Sequence, residues 1–282
     1  MGILYIVATP IGNLGDITKR AIKTLETVDI ILCEDTRTSS HLLNSLEIKT
    51  KLISYHKFNE SERSGEVIEL LKSGKNIALI TDAGTPCISD PGSILISECI
   101  SNKIEIFSIP GASALTTALT LSGLVIHNFA FYGFLERKNS KQKEELKRIQ
   151  QNDLETIVFY ESPKRIIPTI ENIKEVMNDP YIIVLNELTK KFEKKYYGKS
   201  SQVLDLLQKA NYELGEYVIV VSINKTEEKK EEVSLEALLI DKIIKNNYTM
   251  KEAINDLAFE FKNKYSKKEI YNASLKLKNI FK

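Results

Sequence analysis

Residues 76–101, NIALITDAGTPCISDPGSILISECIS, contain one complete unit of the fold. The run NIALIT (76–81) is apolar on both alternating faces, DAGTPCISDPG (82–92) is punctuated by glycine and proline, and a helix-period stretch follows over 92–101. A short strand with no polar face is what a parallel sheet covered on both sides demands. The rhythm recurs in ILYIVA (3–8), DIILC (29–33), KLISY (51–55), IEIFSI (104–109) and NFAFYGF (128–134). Helical candidates lie between these runs, near 18–27, 38–46, 60–73 and 112–122. Alternating β and α elements predict an α/β layered domain, here over residues 1–135.

The charged segment ERKNSKQKEELKR (136–148) opens a second expected α/β domain, 136–224. Its strands are TIVFY (156–160), YIIVLNEL (181–188), a polar KKYYG stretch (194–198) and EYVIVVSI (216–223). Dense mixed charge then marks a linker over 225–234. Residues 235–282 carry only helical patterns, and KEAINDLAFEF (251–261) and SKKEIYNASLKL (266–277) predict a helical hairpin or helix-turn-helix.

With 43% apolar and 27% charged residues, the chain of 282 is composed like a soluble globular protein. Its 39 basic and 38 acidic residues leave +1, which names no partner. The charge is uneven, because residues 235–282 hold ten lysines against six acids and offer a basic surface to something anionic. Cys33, Cys87 and Cys99 have no paired spacing, so reduced thiols in a cytoplasmic setting are expected, without a disulfide. Together with His41, His56 and His127 they form no metal-ligand pattern, and no metal is expected. The one long stretch free of Asp, Glu, Lys and Arg, Ile106–Leu135, contains Pro110, Gly111, Gly123 and many hydroxyl side chains. It divides into strand, turn, helix and strand, not a membrane span.

Open parallel sheets bind ligands beyond the carboxyl ends of their strands. The loops there are TPIGNLGD (9–16), EDTRTSS (34–40), HKFN (56–59), DAGTPCISDPG (82–92) and PGASA (110–114). Glycine lets backbone approach a ligand closely, and free amides at the next helix start favour an anion. The set predicts a small-molecule pocket. It is not a standard nucleotide site: no G-x-G-x-x-G occurs, and Gly198-Lys199-Ser200 lacks the leading glycine of a P-loop because Glu193 stands there.

TPIGNLGD, CEDTR, SYHKFNE, ITDAGTPCISDPG, IPGASA, VFYESPKR and NELTKKFEKKYYG, in this order, closely resemble the ribosomal small-subunit RNA methyltransferase I family of the tetrapyrrole methylase superfamily. The resemblance runs from about Ile3 to Val221. It implies two α/β domains of the tetrapyrrole methylase type with a small C-terminal helical domain. It also implies S-adenosylmethionine-dependent 2′-O-ribose methylation of a cytidine in the decoding region of 16S rRNA, by a cytoplasmic homodimer acting on the small ribosomal subunit. Cys87 stands where the family commonly has glycine, Lys164 where histidine is frequent and Ala112 where proline is frequent.

Carried onto this sequence, the family's cofactor contacts fall on Pro10, Asp82, Ala83, Gly84, Ser113, Ala114 and Glu161. A ribose hydroxyl reacts once its proton is partly removed, and Glu34 is the expected acceptor with Asp35 as runner-up. Arg37 would hold a phosphate or orient the carboxylate; alternatively, the EDTR residues cap the next helix and pair with each other. Arg137, Lys164 and Arg165 are the expected RNA contacts, with intramolecular ion pairs as the alternative. Two rival functions remain open: a tetrapyrrole or corrin C-methyltransferase on the same scaffold, and a non-catalytic RNA-binding assembly factor with a vestigial pocket.

Overall fold

The structure is a computed structural model and describes residues 1–210, 212–223, 234–261 and 265–280. Strands β1 (Leu4–Val7), β2 (Ile30–Cys33), β3 (Lys51–Ser54), β4 (Ile77–Leu79) and β5 (Ile106–Ile109) alternate with helices α1 (Lys19–Thr27), α2 (Thr36–Ser45), α3 (Glu60–Lys72), α4 (Ser93–Ser101) and α5 (Ala114–Ser122). The strands form an all-parallel sheet in the order β3-β2-β4-β1-β5. Alternate residues feed two cores. Leu4, Ile6, Leu32, Ile77 and Leu79 pack on one face, and Val7, Ile31, Cys33, Ala78 and Ile80 on the other. Both faces are covered, which is why the strands read as unbroken apolar runs.

The second sheet is built from β6 (Phe129–Phe134), β7 (Thr156–Glu161), β8 (Tyr181–Asn186), β9 (Lys194–Lys199) and β10 (Tyr217–Ser222), with α6 (Asn139–Gln150), α7 (Ile166–Val176) and α8 (Ser200–Gln208) between them. Its order is β6-β7-β10-β8-β9, and only the β6–β7 pair is parallel. The expected cut after residue 135 therefore does not follow the sheets. NFAFYGF, read as the last strand of the first domain, pairs with β7, so the second sheet starts at Phe129. The charged run that suggested a junction is instead the exposed helix α6 inside the second layer.

Period-two alternation again decides which side each residue faces. Tyr217, Ile219 and Val221 of β10 enter one core with Ile182, Val184, Ile157 and Phe159, under α7 and α8. Val218 and Val220 face the opposite way with Ile183, Leu185 and Val158, and there they meet Ile11 from the first loop and Ala118 and Leu119 of α5. The two sheets with their helices form one compact unit, Met1–Asn224.

Lys225–Lys282 form a second unit. Among its described residues are three helices where the sequence suggested a hairpin of two: α9 (Leu235–Asn246), α10 (Met250–Glu260) and α11 (Lys267–Ile280). They bury Leu239, Ala253, Leu257, Ile270, Ala273 and Leu277. Thr249 and Glu252 close a capping box on α10, and Lys242 of α9 bridges Asp256 at 2.7 Å and Glu260 at 2.5 Å. The expected linker 225–234 lies, apart from Ser234, outside the described residues. No helix among the described residues is long and apolar enough to cross a membrane.

Leu119 is 5% exposed at the contact between α5 and the second sheet. Leu119→Ala removes buried methyl groups and leaves a cavity between two rigid layers, so it should cost about 3 kcal/mol. In urea unfolding this would lower the midpoint without changing the slope.

Candidate active site

The loop after β4 is tied to each neighbouring loop by hydrogen bonds. Thr9 donates its amide to Gly84 O at 2.8 Å and accepts from Gly84 N at 3.2 Å, an isolated antiparallel bridge between the loops after β1 and β4. The Thr9 hydroxyl donates to Thr81 O at 3.1 Å. Thr85 Oγ1 donates to Ala112 O at 3.1 Å, fixing the loop before α5, and Asp35 N donates to Asp82 Oδ1 at 3.2 Å, fixing the loop after β2. Gly92 N donates to Glu60 at the start of α3. The backbone inside this loop is tightly turned: Cys87 and Ser89 hold φ of 69° and 72°. The glycine that the family resemblance led us to expect at 87 fits that conformation without a Cβ penalty.

These loops face the second sheet across a cavity of about 380 Å³. From the first layer come Ile11, Thr81–Thr85, Ile88–Asp90, Ser113 and Ala114; from the second come Phe134, Tyr160–Pro163, Leu188 and Gly215–Val218. Its volume lies in the range of small-molecule sites, as does its mixture of apolar walls and few polar groups. Ser113 caps α5 by backbone geometry alone, with no side-chain hydrogen bond; of the first amides of the helix, that of Leu115 serves the Tyr160 hydroxyl, and those of Ala114 and Thr116 have no acceptor among the described residues and are left for an anion.

Asp82, Ala83, Gly84, Ser113, Ala114 and Glu161 all line this cavity, whereas Pro10 is buried beside it and Ile11 supplies the wall. Glu161 is 2% exposed and its oxygens are already engaged. Oε1 accepts from Ser162 N at 2.7 Å, and Oε2 accepts from Thr169 Oγ1 at 2.7 Å and lies 3.3 Å from Arg165 Nη2. It is an internal anchor, and Asp82 is the more available carboxylate.

Glu34 stands outside the cavity lining, one loop away, and its carboxylate has no hydrogen-bond or ion-pair partner among the described residues. Burial, then the nearby Asp82, pushes its carboxyl above the usual value of 4.5, while His56 acts the other way. Burial likewise raises Asp82, with the Asp35 charge adding to it and the hydrogen bond from the Asp35 amide opposing it. Asp90, on the cavity wall, is pushed up to about 6 by burial and by Glu34 and Asp82, against a hydrogen bond from Thr81. Asp35 goes the other way, to about 2, because Arg37 donates to it from Nε at 3.1 Å and Nη2 at 2.7 Å and from its own amide at 2.8 Å. Arg37 therefore pairs with Asp35, the cap of α2, and does not orient Glu34. The arrangement can take up a proton near neutral pH beside a largely apolar pocket.

The three expected RNA contacts separate. Arg165 is committed internally, donating from Nη2 to Leu135 O at 2.7 Å and Glu136 O at 3.1 Å as well as facing Glu161. Arg137 and Lys164 are exposed, with no ion pair among the described residues.

Sequence reasoning missed Asp90, Phe134, Tyr160, Leu188 and Gly215–Val218. Most belong to the second sheet, where looking after each strand fails. β10 runs antiparallel to β7 with Tyr217 opposite Glu161, so the amino end of one strand and the carboxyl end of the other meet at the cavity. The glycine in LGEYV, just before the last apolar run, was the available signal.

Comparison with known proteins agrees with this architecture. The family model Tetrapyrrole (Corrin/Porphyrin) Methylases matches residues 3–204. Ribosomal RNA small subunit methyltransferase I of Bacillus subtilis (strain 168) is 42% identical over 278 residues, covering 97% of this chain and 94% of that protein. The protein of the same name from Synechocystis sp. (strain ATCC 27184 / PCC 6803 / Kazusa) is 40% identical, covering 98% and 99%. Among solved structures, diphthine synthase superposes with a TM-score of 0.62 at 16% identity, covering 79% of this chain and 90% of its own. Uroporphyrin-III-C-methyltransferase from Thermus thermophilus gives 0.57 at 18%, covering 79% and 94%. At such identities the likeness is one of fold.

The raised Asp90 has a consequence for stability. A folded-state value of about 6 against 3.8 means the native state binds more protons than the unfolded chain between those pH values, so stability falls as pH rises through that window. Asp90→Asn should abolish that fall and leave the variant about 1 kcal/mol more stable than the parent at pH 7, partial solvent exposure limiting the gain. Thermal melts at pH 4 and pH 7 check the difference, which should grow with pH.

Proposed function

The chain belongs to the tetrapyrrole methylase family and, within it, to the ribosomal RNA small subunit methyltransferase I family, and we propose that it methylates 16S rRNA. The donor in this reading is S-adenosylmethionine, the acceptor is the ribose 2′-hydroxyl of a cytidine in the decoding region, and the enzyme is a cytoplasmic homodimer. The observation that carries it is the cavity, in which the amino end of α5, a carboxylate and apolar walls converge from both sheets.

Those groups suit a zwitterionic, partly aromatic cofactor. The first amides of α5 suit a carboxylate, Asp82 suits an ammonium, and Ile11, Ala83, Leu188 and Val218 suit an adenosine. When bound, the cofactor supplies a methyl group on a sulfonium: the carbon–sulfur bond breaks as the carbon–oxygen bond forms, leaving a neutral thioether. The protein's task is to hold oxygen and carbon in line and to receive the hydroxyl proton. Glu34 receives it. Burial and the nearby Asp82 raise its pKa, which brings its basicity closer to that of the alcohol. Asp82, and then Asp35, supply the negative potential that makes the proton welcome.

Methyl incorporation into 16S rRNA by the purified protein tests the reading. Glu34→Gln should lower kcat by about 10²- to 10⁴-fold with cofactor affinity retained. In the parent, kcat should rise with pH through an acid limb lying above the usual 4.5 of a glutamate, since the deprotonated form is the active one. An unchanged rate in the variant would remove Glu34 from this role.

The basic helical unit would add phosphate contacts, whose contribution depends on salt. Deleting residues 235–282 should weaken rRNA binding more than cofactor binding, the two being measured separately by filter binding and calorimetry. Equal loss of both would contradict that division.

A further inference from the structure

We propose that Phe134 is the platform on which the base of the target nucleotide stacks. The proposal rests on the assignment of an RNA substrate to this cavity and adds a subsite to it. Phe134 lines the cavity, yet 56% of it is exposed, so its ring lies where the pocket opens to solvent. An aromatic ring exposed at the mouth of a pocket offers a ligand a surface to stack on.

Its presentation is built into the strand. The β6–β7 register runs regularly to Phe131 opposite Val158, then slips, so that Phe134 stands opposite Tyr160. Such a bulge re-aims a side chain. Gly133 makes it possible: φ is 62°, and a Cβ there would approach Ser89 Oγ to 2.8 Å. Tyr160 supports the ring edge-on, with centroids 5.9 Å apart at 68°, and is itself braced by Phe131 at 4.7 Å. An edge contact on one side leaves a face of Phe134 free.

The segment that follows is fixed rather than loose. Arg165 holds Leu135 O and Glu136 O, Gln142 Nε2 donates to Glu136 O at 3.3 Å, and Glu136 N donates to Glu145 at 2.9 Å. Beyond this clamp lie Arg137 and Lys138, exposed and without ion pairs among the described residues; Lys164, next to Arg165 in the chain, is the same. A free aromatic face next to uncommitted cations is the chemistry of a single-stranded nucleic acid, with the base on the ring and phosphates on the charges. A protein partner would not need three unpaired cations in the two segments that carry and clamp this ring.

The experiment compares Phe134→Ala and Phe134→Tyr with the parent in methyl transfer to 16S rRNA, alongside equilibrium binding of S-adenosylmethionine. Stacking predicts that the alanine variant raises the KM for RNA about ten-fold or more while cofactor affinity moves less than about three-fold, and that tyrosine restores the KM. An unchanged KM in the alanine variant would overturn the proposal. So would a cofactor affinity that weakens in step with it, since the ring would then serve the cofactor. Parent protein that transfers no methyl group to RNA would remove the assigned function itself, and the subsite with it.

Discussion

Helix α5 leaves the last strand of the parallel sheet and buries its far side, Ala118 and Leu119, on Val158, Ile183, Leu185, Val218 and Val220 of the other sheet. That contact sets the distance between the two layers, and the cavity is the space left over beside it. The small residues of ALTTALTLS let the helix sit close to a flat β surface. Its amino end is thereby held at the edge of the gap, with Ser113 and Ala114 on the cavity wall. A bulkier helix would separate the layers, and a polar one would leave the face of β8 and β10 without cover. Apolar packing, which is non-directional, thus places directional groups: the amino end of α5 on the cavity wall, with the Leu115 amide on the Tyr160 hydroxyl.

Against that frame, the acidic groups follow from strand order. β2 and β4 are neighbours in the sheet, so the loops that leave their carboxyl ends are forced together, and Glu34 and Asp35 meet Asp82 and Asp90. Arg37 relieves only Asp35, because its guanidinium fork is turned outward onto the helix cap. Glu34, Asp82 and Asp90 have no ion-pair partner among the described residues. Like charges close together and partly shielded from water hold their protons more tightly, which is how carboxyl groups come to exchange protons near neutrality. The stability that this crowding costs is the mark of a site kept for chemistry.

The parallel layer was legible because its inner strands are buried on both faces and each strand is followed by a helix. Its loops were legible for the same reason, and Asp82, Ala83, Gly84, Ser113 and Ala114 come together as their positions after β4 and β5 require. The second layer was harder. In an antiparallel sheet either end of a strand faces the cavity, so position after a strand no longer marks a wall residue, and Gly215–Val218 escaped notice. β6 was assigned to the wrong sheet because an apolar run carries no record of its partner. Arg165 could not be told from a surface cation, since its acceptors Leu135 O and Glu136 O are backbone atoms thirty and twenty-nine residues away. The alternative raised for EDTR, capping and mutual pairing, describes Asp35 and Arg37 and leaves Glu34 apart.

Arg165 also shows why a buried ion pair belongs at the rim of this cavity. An isolated carboxylate as enclosed as Glu161 is unfavourable, and its charge is balanced by Arg165 and by donors from Ser162 and Thr169. The same guanidinium reaches the carbonyls that end β6, so the charge that stabilises Glu161 also locks the exit of the bulged strand. Removing either partner would take the counter-charge from the other, and removing Arg165 would also free the carbonyls after Phe134 from their guanidinium donor. A hydrophobic pair of equal volume would fill the space, but it would offer no donor to Leu135 O and would leave Glu136 O with Gln142 alone. The polar link is thus retained for the precision it gives to an edge that neither sheet's hydrophobic core reaches.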